Sequence, residues 1–137
     1  MKVLITGAAG FIGYHFCKKL LERTRWEIVG IDNLNDYYDP AIKQARLRNL
    51  GIDDPVEGSK SKTCPNFWFF PLDVEDRHAI DRLFQDFRFD VCVHLAAQAG
   101  VRYSLDHPHP YVQTNVAGFL HILEAARHFG LRHLVYA

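Results

Sequence analysis

The stretch VLITGAAGFIG, residues 3–13, indicates the fold at the first turn of the chain. Three apolar residues typical of a buried strand run into glycines at positions 7, 10 and 13, and helical periodicity follows. In a strand–turn–helix, Gly7 permits the tight turn, Gly10 lets the backbone approach a pyrophosphate, and Gly13 lets the helix pack closely on the strand. The helix N-terminus then offers free N–H groups to phosphates. The stretch therefore predicts a dinucleotide-binding loop, although a tight turn without a ligand would show the same spacing. The remaining loop residues expected at the ligand are Ala9, Phe11 and Ile12.

An acidic residue supports the nucleotide interpretation. Asp32 closes the second predicted strand, 19 residues beyond Gly13. A carboxylate there can accept both ribose hydroxyls of an adenosine and would repel a 2′-phosphate. Residues 33–36 contain no Lys or Arg that would attract such a phosphate. We therefore expect NAD rather than NADP as the cofactor, with Asn33 and Asn35 as further contacts.

Two later segments supply the rest of the predicted cofactor site. Asp73 follows the third strand, where it could accept from the adenine amino group beside the Val74 N–H; a helix-capping role for Asp73 is equally open. In a doubly wound sheet the ligand lies where the strand order reverses, here between the first and fourth strands. Small residues after the fourth strand would let the backbone lie against the cofactor. The contacts expected in this segment are Leu95, Ala96, Ala97 and Gln98.

Arg102 and Tyr103 are the candidate substrate contacts, and Asn115 is a further candidate for the cofactor site. Arginine suits carboxylate or diphosphate recognition, so Arg102 and the adjacent Tyr103 are the predicted substrate contacts. A surface ion pair is the alternative for Arg102. Asn115 is a poor helix former inside a predicted helix. We expect it to hydrogen-bond the backbone of the fourth strand and to contribute to the cofactor site, the alternative being a solvent-facing side chain.

Apolar runs alternate with helical segments along the whole chain. The predicted strands are Val3–Ile5, Trp26–Ile31, Phe67–Leu72, Val91–Leu95 and Leu134–Tyr136. The predicted helices begin at Phe11, span Ala41–Leu50, follow a cap at Asp76, and run from Pro108 to Phe129 before a stop at Gly130. In the last helix the residues expected to face inward are Val112, Val116, Phe119, Leu120, Leu123 and Ala126. This alternation predicts an α/β fold, a doubly wound parallel (Rossmann) sheet of strand order 3-2-1-4-5 that is truncated after strand five.

One stretch, Gly51–Asn66, is polar and rich in turn residues. We expect a mobile surface insertion between the second helix and the third strand. A functional lid is the alternative, because long structureless loops are uncommon.

Composition narrows the function further. The 137 residues are 48% apolar and carry a formal net charge of zero, which fits one globular domain and argues against nucleic-acid binding through bulk charge. Three cysteines without a C-x-x-C motif argue against a disulfide framework or zinc knuckle. The eight histidines show no metal-ligand pattern, so no metal is expected. The sequence lacks a signal-peptide pattern and a membrane-length apolar run, so a cytoplasmic protein without membrane contact is the expectation.

The motifs together resemble those of the extended short-chain dehydrogenase/reductase family, the NAD-dependent epimerases and dehydratases. The segments that carry the resemblance are TGAAGFIG, DNLNDYYD, HLAAQAGVRYS, NVAGFLHILEAARH and HLVYA. Within the family, DNLNDYYD and AAQAGVRYS look most like those of the UDP-glucuronate 4-epimerases. The resemblance covers nearly the whole chain except the insertion.

The resemblance implies a specific chemistry for the full-length protein. Such an enzyme removes hydride from C4 of a UDP-sugar with NAD, lets the 4-keto intermediate turn over, and returns the hydride to the other face. A tyrosine with a lysine four residues on moves the proton, and a nearby Ser or Thr steadies the sugar oxygen. The family also implies a homodimer. Tyr14 and Lys18 have that spacing but lie on the phosphate-binding helix, so we do not expect them to be catalytic.

Residues 1–137 are therefore expected to be the NAD-binding Rossmann domain of a longer enzyme, whose substrate domain and Tyr-x-x-x-Lys lie beyond Ala137. We expect no catalytic residue in this chain and little turnover from it alone. Two alternatives stay open: the cofactor half of a nucleotide-sugar 4,6-dehydratase or decarboxylase, and a catalytically silent NAD-binding module. The last predicted strand has no helix after it in this sequence, whereas a finished domain should cover both faces of its sheet. This favours the first part of a longer enzyme over a self-contained binding module.

Overall fold

The apolar runs form one six-stranded sheet in the computed structural model, which describes residues 1–56 and 58–137. Its strands are β1 (Lys2–Thr6), β2 (Glu27–Asp32), β3 (Ser59–Lys60), β4 (Phe67–Pro71), β5 (Val91–His94) and β6 (His133–Tyr136). Their order is β3-β4-β2-β1-β5-β6, and all neighbours are parallel except β3 and β4. The five parallel strands keep the predicted order 3-2-1-4-5. The doubly wound α/β fold is therefore confirmed, with β3 as an added edge strand.

Helices cover both faces of the sheet. They are α1 (Phe11–Arg23), α2 (Pro40–Asn49), α3 (Arg77–Phe87), α4 (Val101–Asp106), α5 (His109–Val112), a π-helical segment (Gln113–Gly118) and α6 (Phe119–His128). Successive residues of β1 point to opposite faces, so Val3 packs with Leu47 of α2 while Leu4 packs with Ile80 of α3. The two buried clusters hold the crossover helices in place, which fixes the strand ends that carry the site.

The predicted helix ends are found. The Asp76 carboxylate accepts from the Ala79 N–H at 3.0 Å and caps α3. After α6, Gly130 adopts a φ of 69°, and the Leu131 N–H bonds back to the Ala126 carbonyl at 2.9 Å. This is the left-handed stop that glycine adopts without strain.

Four of the six residues predicted to face inward from the last helix are exposed instead. Val112, Val116, Leu120 and Leu123 are 39–63% exposed, while Gly118, Ile122 and Ala125 are buried. Of the predicted set, Phe119 and Ala126 are partly buried. The π-helical segment makes i→i+5 hydrogen bonds and changes the phase of the helix, so one 3.6-residue period cannot describe it. Apolar residues occupy two faces, and periodicity alone chose the wrong one.

The stretch Gly51–Asn66 is more structured than predicted. Its residue Glu57 lies outside the described residues. Ile52 is buried in the core, β3 pairs with β4, and the buried Ser61 hydroxyl donates to the Leu50 carbonyl at 2.6 Å. None of the described residues of this stretch borders the crevice described below, which does not support the lid alternative. A two-residue strand is too short for alternation to reveal.

Candidate functional site

The glycine loop has the geometry that a phosphate-binding turn requires. Gly7 has a φ of 70°, and a Cβ there would lie 3.0 Å from the Ala96 nitrogen. A Cβ on Gly13 would overlap the Gly7 carbonyl oxygen, so α1 packs directly on the loop. Within the described residues, no side chain caps α1 at Gly10 and no acidic side chain lies in its first turn. The loop therefore fits an anionic group at the positive end of a helix.

A crevice of about 750 Å³, part of it open to solvent, runs between this loop and the C-terminal ends of β2, β4 and β5. Most predicted cofactor contacts border it: Gly7, Gly10, Asp32, Asn33, Asn35, Asp73, Val74, Leu95, Ala96, Ala97 and Gln98. Those outside its lining are Ala9, Phe11, Ile12, Gly13, Asn115, Arg102 and Tyr103. Further residues that sequence reasoning missed also border it: Ile31, Tyr37, Tyr38, Lys43, Leu72, Ala99 and Thr114.

Asp32 lies at the base of the crevice with three polar partners. Its Oδ1 accepts from the Lys43 Nζ at 3.0 Å and from the Leu34 N–H at 2.9 Å. Its Oδ2 accepts from the Ala9 N–H at 3.2 Å, which ties β2 to the glycine loop. The Ala9 N–H is therefore engaged by the protein, and Ala9 is not among the residues that border the crevice.

Lys43 changes the electrostatic argument made from the sequence. It reaches Asp32 from α2, eleven residues along the chain, and both side chains are at least nine-tenths buried. The absence of Lys and Arg from residues 33–36 therefore does not mean that the carboxylate is unpaired. Only tertiary packing reveals this partner, although a Lys on the inner face of α2 was a visible signal.

A second polar pair joins the ends of β2 and β4. The Asn33 Nδ2 donates to the Asp73 Oδ2 at 2.9 Å, and the Asp73 Oδ1 accepts from the Glu75 N–H at 2.9 Å. Because Asp76 caps α3, the helix-cap alternative for Asp73 is wrong. Val74 is buried, and its carbonyl accepts from the His121 ring at 2.9 Å.

Thr6 and His94 form a buried pair at the point where the strand order reverses. The Thr6 Oγ1 accepts from the Leu95 N–H at 3.0 Å and from the Ala96 N–H at 2.9 Å. Both of its acceptor positions are then used, so its hydroxyl donates to the His94 Nδ1, which lies 2.8 Å away. Burial lowers the pKa of His94 to about 4, which keeps the ring neutral. This pair fixes the backbone that lines the crevice after β5.

Asn115 makes the backbone contact predicted for it. Its Oδ1 accepts from the Gln98 N–H at 2.8 Å, and its Nδ2 donates to the Gln98 carbonyl at 3.0 Å. The contact lies just beyond β5 and the residue is in the π-helical segment. Asn115 therefore bonds to the backbone while its side chain remains exposed, and a direct contact with a cofactor stays a prediction.

Tyrosines connect the two most distinctive motifs at the mouth of the crevice. The Tyr37 ring packs edge-on against the Tyr103 ring at a centroid distance of 5.3 Å. Gly100 has a φ of 100°, and a Cβ there would overlap the Tyr37 hydroxyl. The single hydrogen of the Tyr111 hydroxyl is shared between the carbonyls of Ala99 and Gly100. Tyr103 therefore adjoins the crevice through Tyr37.

Arg102 lies on α4, a helix that the sequence did not reveal, and it is exposed. It forms no ion pair with any residue in the described ranges, which does not support the surface-pair alternative. Tyr14 is buried and Lys18 exposed, so this pair does not line the crevice.

The described residues contain neither a candidate membrane-spanning helix nor a candidate metal-ion site. No helix in the described part of the chain is long and apolar enough to cross a membrane. Residues 1–56 and 58–137 contain no group of three or more His, Cys, Asp or Glu that could hold a metal ion.

Comparison with known proteins assigns this arrangement to a family. The GDP-mannose 4,6 dehydratase family model matches residues 4–136. Protein CapI of Staphylococcus aureus is 42% identical over 137 residues, which are all of this chain and 37% of that protein. A UDP-glucuronate 4-epimerase of Thermodesulfobacterium geofontis is 39% identical over 134 residues, or 98% of this chain and 38% of that protein.

The structure is similar to that of a solved relative. A UDP-glucuronic acid 4-epimerase from Bacillus cereus, crystallised with UDP-glucuronic acid and NAD, is 34% identical with a TM-score of 0.80. The alignment covers 99% of this chain and 39% of that one. The chain thus spans about 37% of the length of relatives such as CapI. The Rossmann sheet, the glycine loop and the match to the family model agree. The chain belongs to the GDP-mannose 4,6 dehydratase family of nucleotide-sugar epimerases and dehydratases.

Proposed function

We propose that this chain is the NAD-binding part of a UDP-glucuronate 4-epimerase. The observation that carries the proposal is the meeting of DNLNDYYD and AAQAGVRYS at the crevice, where Tyr37 packs against Tyr103 and Gly100. These are the segments whose sequences most resemble the UDP-glucuronate 4-epimerases. The expectation of NAD agrees with the comparisons, since the Bacillus cereus relative was crystallised with that cofactor.

Different residues of the crevice would bind different parts of the cofactor. The glycine loop and the N-terminus of α1 would bind the pyrophosphate, and Asp32 with Asn33 and Asn35 would bind the adenosine ribose. When bound, NAD supplies the hydride acceptor and donor for the sugar C4. The segment after β5, held by Thr6 and by Asn115, would position the nicotinamide half. On this proposal Arg102 and Tyr103 lie on the side where the sugar nucleotide enters.

Two substitutions test the nucleotide site. Gly10→Val places a side chain against the Gly7 carbonyl oxygen, where even a Cβ lies 3.0 Å away, and obstructs the pyrophosphate. Asp32→Ala removes a ribose acceptor. Each should weaken NAD binding, measured by isothermal titration calorimetry, by roughly tenfold or more. Val56→Ala, on the exposed stretch away from the crevice, is the control. Unchanged affinity in both site variants would contradict the proposed site.

The reaction is tested on the encoded protein together with any sequence beyond Ala137. NMR of UDP-glucuronate should show conversion to UDP-galacturonate without net formation of NADH. Carbon dioxide released from UDP-glucuronate would identify a decarboxylase. A 4-keto-6-deoxy product formed from GDP-mannose, a nucleotide sugar that keeps its C6 hydroxyl, would identify a 4,6-dehydratase, the reaction named by the family model. Binding of NAD without any turnover would support a silent binding module instead.

We also propose that the exposed apolar face of Val112, Val116, Leu120 and Leu123 is a subunit interface of a homodimer. These four side chains lie along the helical stretch from α5 to α6. Contiguous apolar side chains exposed to water favour association.

A further inference from the structure

The helix α4, which carries Arg102, contributes nothing to the core. None of its six residues, all of which the structure describes, is buried, and its apolar side chains Val101 and Leu105 are 82% and 79% exposed. Short helices depend on tertiary packing for most of their stability. Contacts from other parts of the chain must therefore determine where α4 lies.

Two tyrosines supply those contacts. In the described part of the chain, the hydrogen bonds and ring contacts that join α4 and the two residues before it to distant segments all come from Tyr37 and Tyr111. The Tyr111 hydroxyl bridges the two carbonyls just before α4. The Tyr37 ring packs edge-on against Tyr103 at 5.3 Å between centroids, and its hydroxyl fills the space that a Cβ on Gly100 would occupy.

The two tyrosines differ in their position relative to the crevice. Tyr37 borders it and is 42% exposed, whereas Tyr111 is not part of its lining. A ligand that fills the crevice would cover the exposed part of Tyr37 and restrict the rotation of its ring. Because Tyr103 and Gly100 touch that ring and its hydroxyl, their motion would be restricted as well. Tyr111 would hold α4 equally with and without a ligand.

We propose that Tyr37 is a positioning residue that couples occupancy of the crevice to the order of α4, so that bound NAD fixes the helix that presents Arg102. This inference rests on the proposed function, since it requires NAD in the crevice and takes α4 as the substrate side. A helix that is already ordered costs less entropy when a nucleotide sugar binds to it. The cofactor and the nucleotide sugar then bind cooperatively through Tyr37.

The test is NMR relaxation of the α4 amides with and without saturating NAD. In the unaltered protein we expect the backbone order parameters of α4 to rise from below about 0.6 to about 0.85 when NAD binds. Tyr37→Leu should abolish the rise, because leucine has no ring to contact Tyr103. The matched control is Tyr38→Leu, since Tyr38 also borders the crevice but packs against Lys43 and Arg46 of α2. At saturating NAD this control should keep the rise.

The variant Tyr111→Phe separates ligand-dependent ordering from general support of the helix. It removes the hydroxyl that bridges the carbonyls before α4, so the order parameters should fall in both states while the rise with NAD remains. Unchanged order parameters in β1 would show that each variant is folded. If Tyr37→Leu gives the same result as Tyr111→Phe, Tyr37 is merely structural and the inference is overturned.

A second outcome also overturns the inference: α4 of the unaltered protein is equally ordered with and without NAD. If the unaltered protein does not bind NAD at all, the proposed function fails instead. The two failures are distinguishable because calorimetry measures NAD binding independently of the order of α4.

Discussion

At the scale of single residues, the site depends on side chains whose hydrogen bonds leave little freedom. Thr6 uses both acceptor positions on backbone N–H groups, so His94 must present an unprotonated Nδ1 to the Thr6 hydroxyl. Phe119 stacks on the other side of the imidazole at a centroid distance of 5.1 Å. Protonation of the neutral His94 ring at Nδ1 would remove the acceptor used by the Thr6 hydroxyl, and it would also place a positive charge in a buried position.

This pair predicts an acid-dependent loss of stability. Burial lowers the pKa of His94 from 6.5 to about 4, so between those values the unfolded chain binds a proton that the folded chain does not. The free energy of unfolding should therefore fall as the pH drops from about 6.5 to 4, by about 3 kcal/mol in total. Urea unfolding across this range would measure it. His94→Asn keeps an acceptor without titrating and should remove this part of the slope.

The control for the acid effect is His78→Asn, because His78 is exposed on α3. That variant should keep the slope of the unaltered protein. A slope that is the same with and without His94 would contradict the assignment.

At the scale of elements, the π-helical segment aligns the last helical stretch with the site. The bonds of Asn115 to Gln98 and the close packing of Gly118 on Val74 both fall inside it. A Cβ on Gly118 would lie 2.8 Å from the Val74 side chain. The change in helical phase presents Asn115 to the crevice side and Ile122 to the core, which one regular period would not do.

The Asn115 contact predicts local loosening on its removal. Asn115→Ala deletes both bonds to Gln98, so the free energy of unfolding should fall by roughly 1 kcal/mol, since the residue is exposed. Amide hydrogen exchange at Gln98 should quicken, while exchange within β5 should hold. Gln113→Ala, in the same segment, is the matched control. Unchanged exchange at Gln98 would show that Asn115 does not hold the segment.

At the scale of the whole molecule, the net charge is zero, so the proposed anion site would depend on backbone groups rather than on an excess of lysines and arginines. The N-terminus of α1 and the glycine loop supply partial positive charge. Packing of the helices on both faces of the sheet fixes the position of this helix and loop. The exposed face of α5, the π-helical segment and α6 lies outside that core. Its apolar side chains are the part of the surface that we proposed as an interface.

An acidic substitution on that face tests the proposed homodimer. Leu120 is 53% exposed, so Leu120→Glu should leave the fold intact while placing a charge in the interface. We expect sedimentation to show a dimer for the unaltered protein and a monomer for the variant. Val56→Glu, at the opposite edge of the sheet and 56% exposed, should remain dimeric. Identical sedimentation of all three proteins would contradict the interface.

The sequence by itself determined the order of the elements and the glycine loop. Local patterns suffice there: buried parallel strands are continuous apolar runs, Gly7 must tolerate a positive φ, and Asp76 caps a helix next to it. The five predicted strands follow from such short-range signals, and their spatial order is that of the doubly wound fold in which the glycine loop follows the first strand.

Tertiary structure decided the partners of the polar groups and the phase of the last helix. Lys43 reaches Asp32 only when α2 packs beside β2, and Thr6 meets His94 only because β1 and β5 are neighbours. The inward face of α6 was predicted wrongly because apolar residues occupy two faces and a π turn shifts the period. For the two polar pairs the physical reason is that each joins residues on different elements, so no local spacing encodes it. For the helix, burial is decided by what the rest of the fold packs against it.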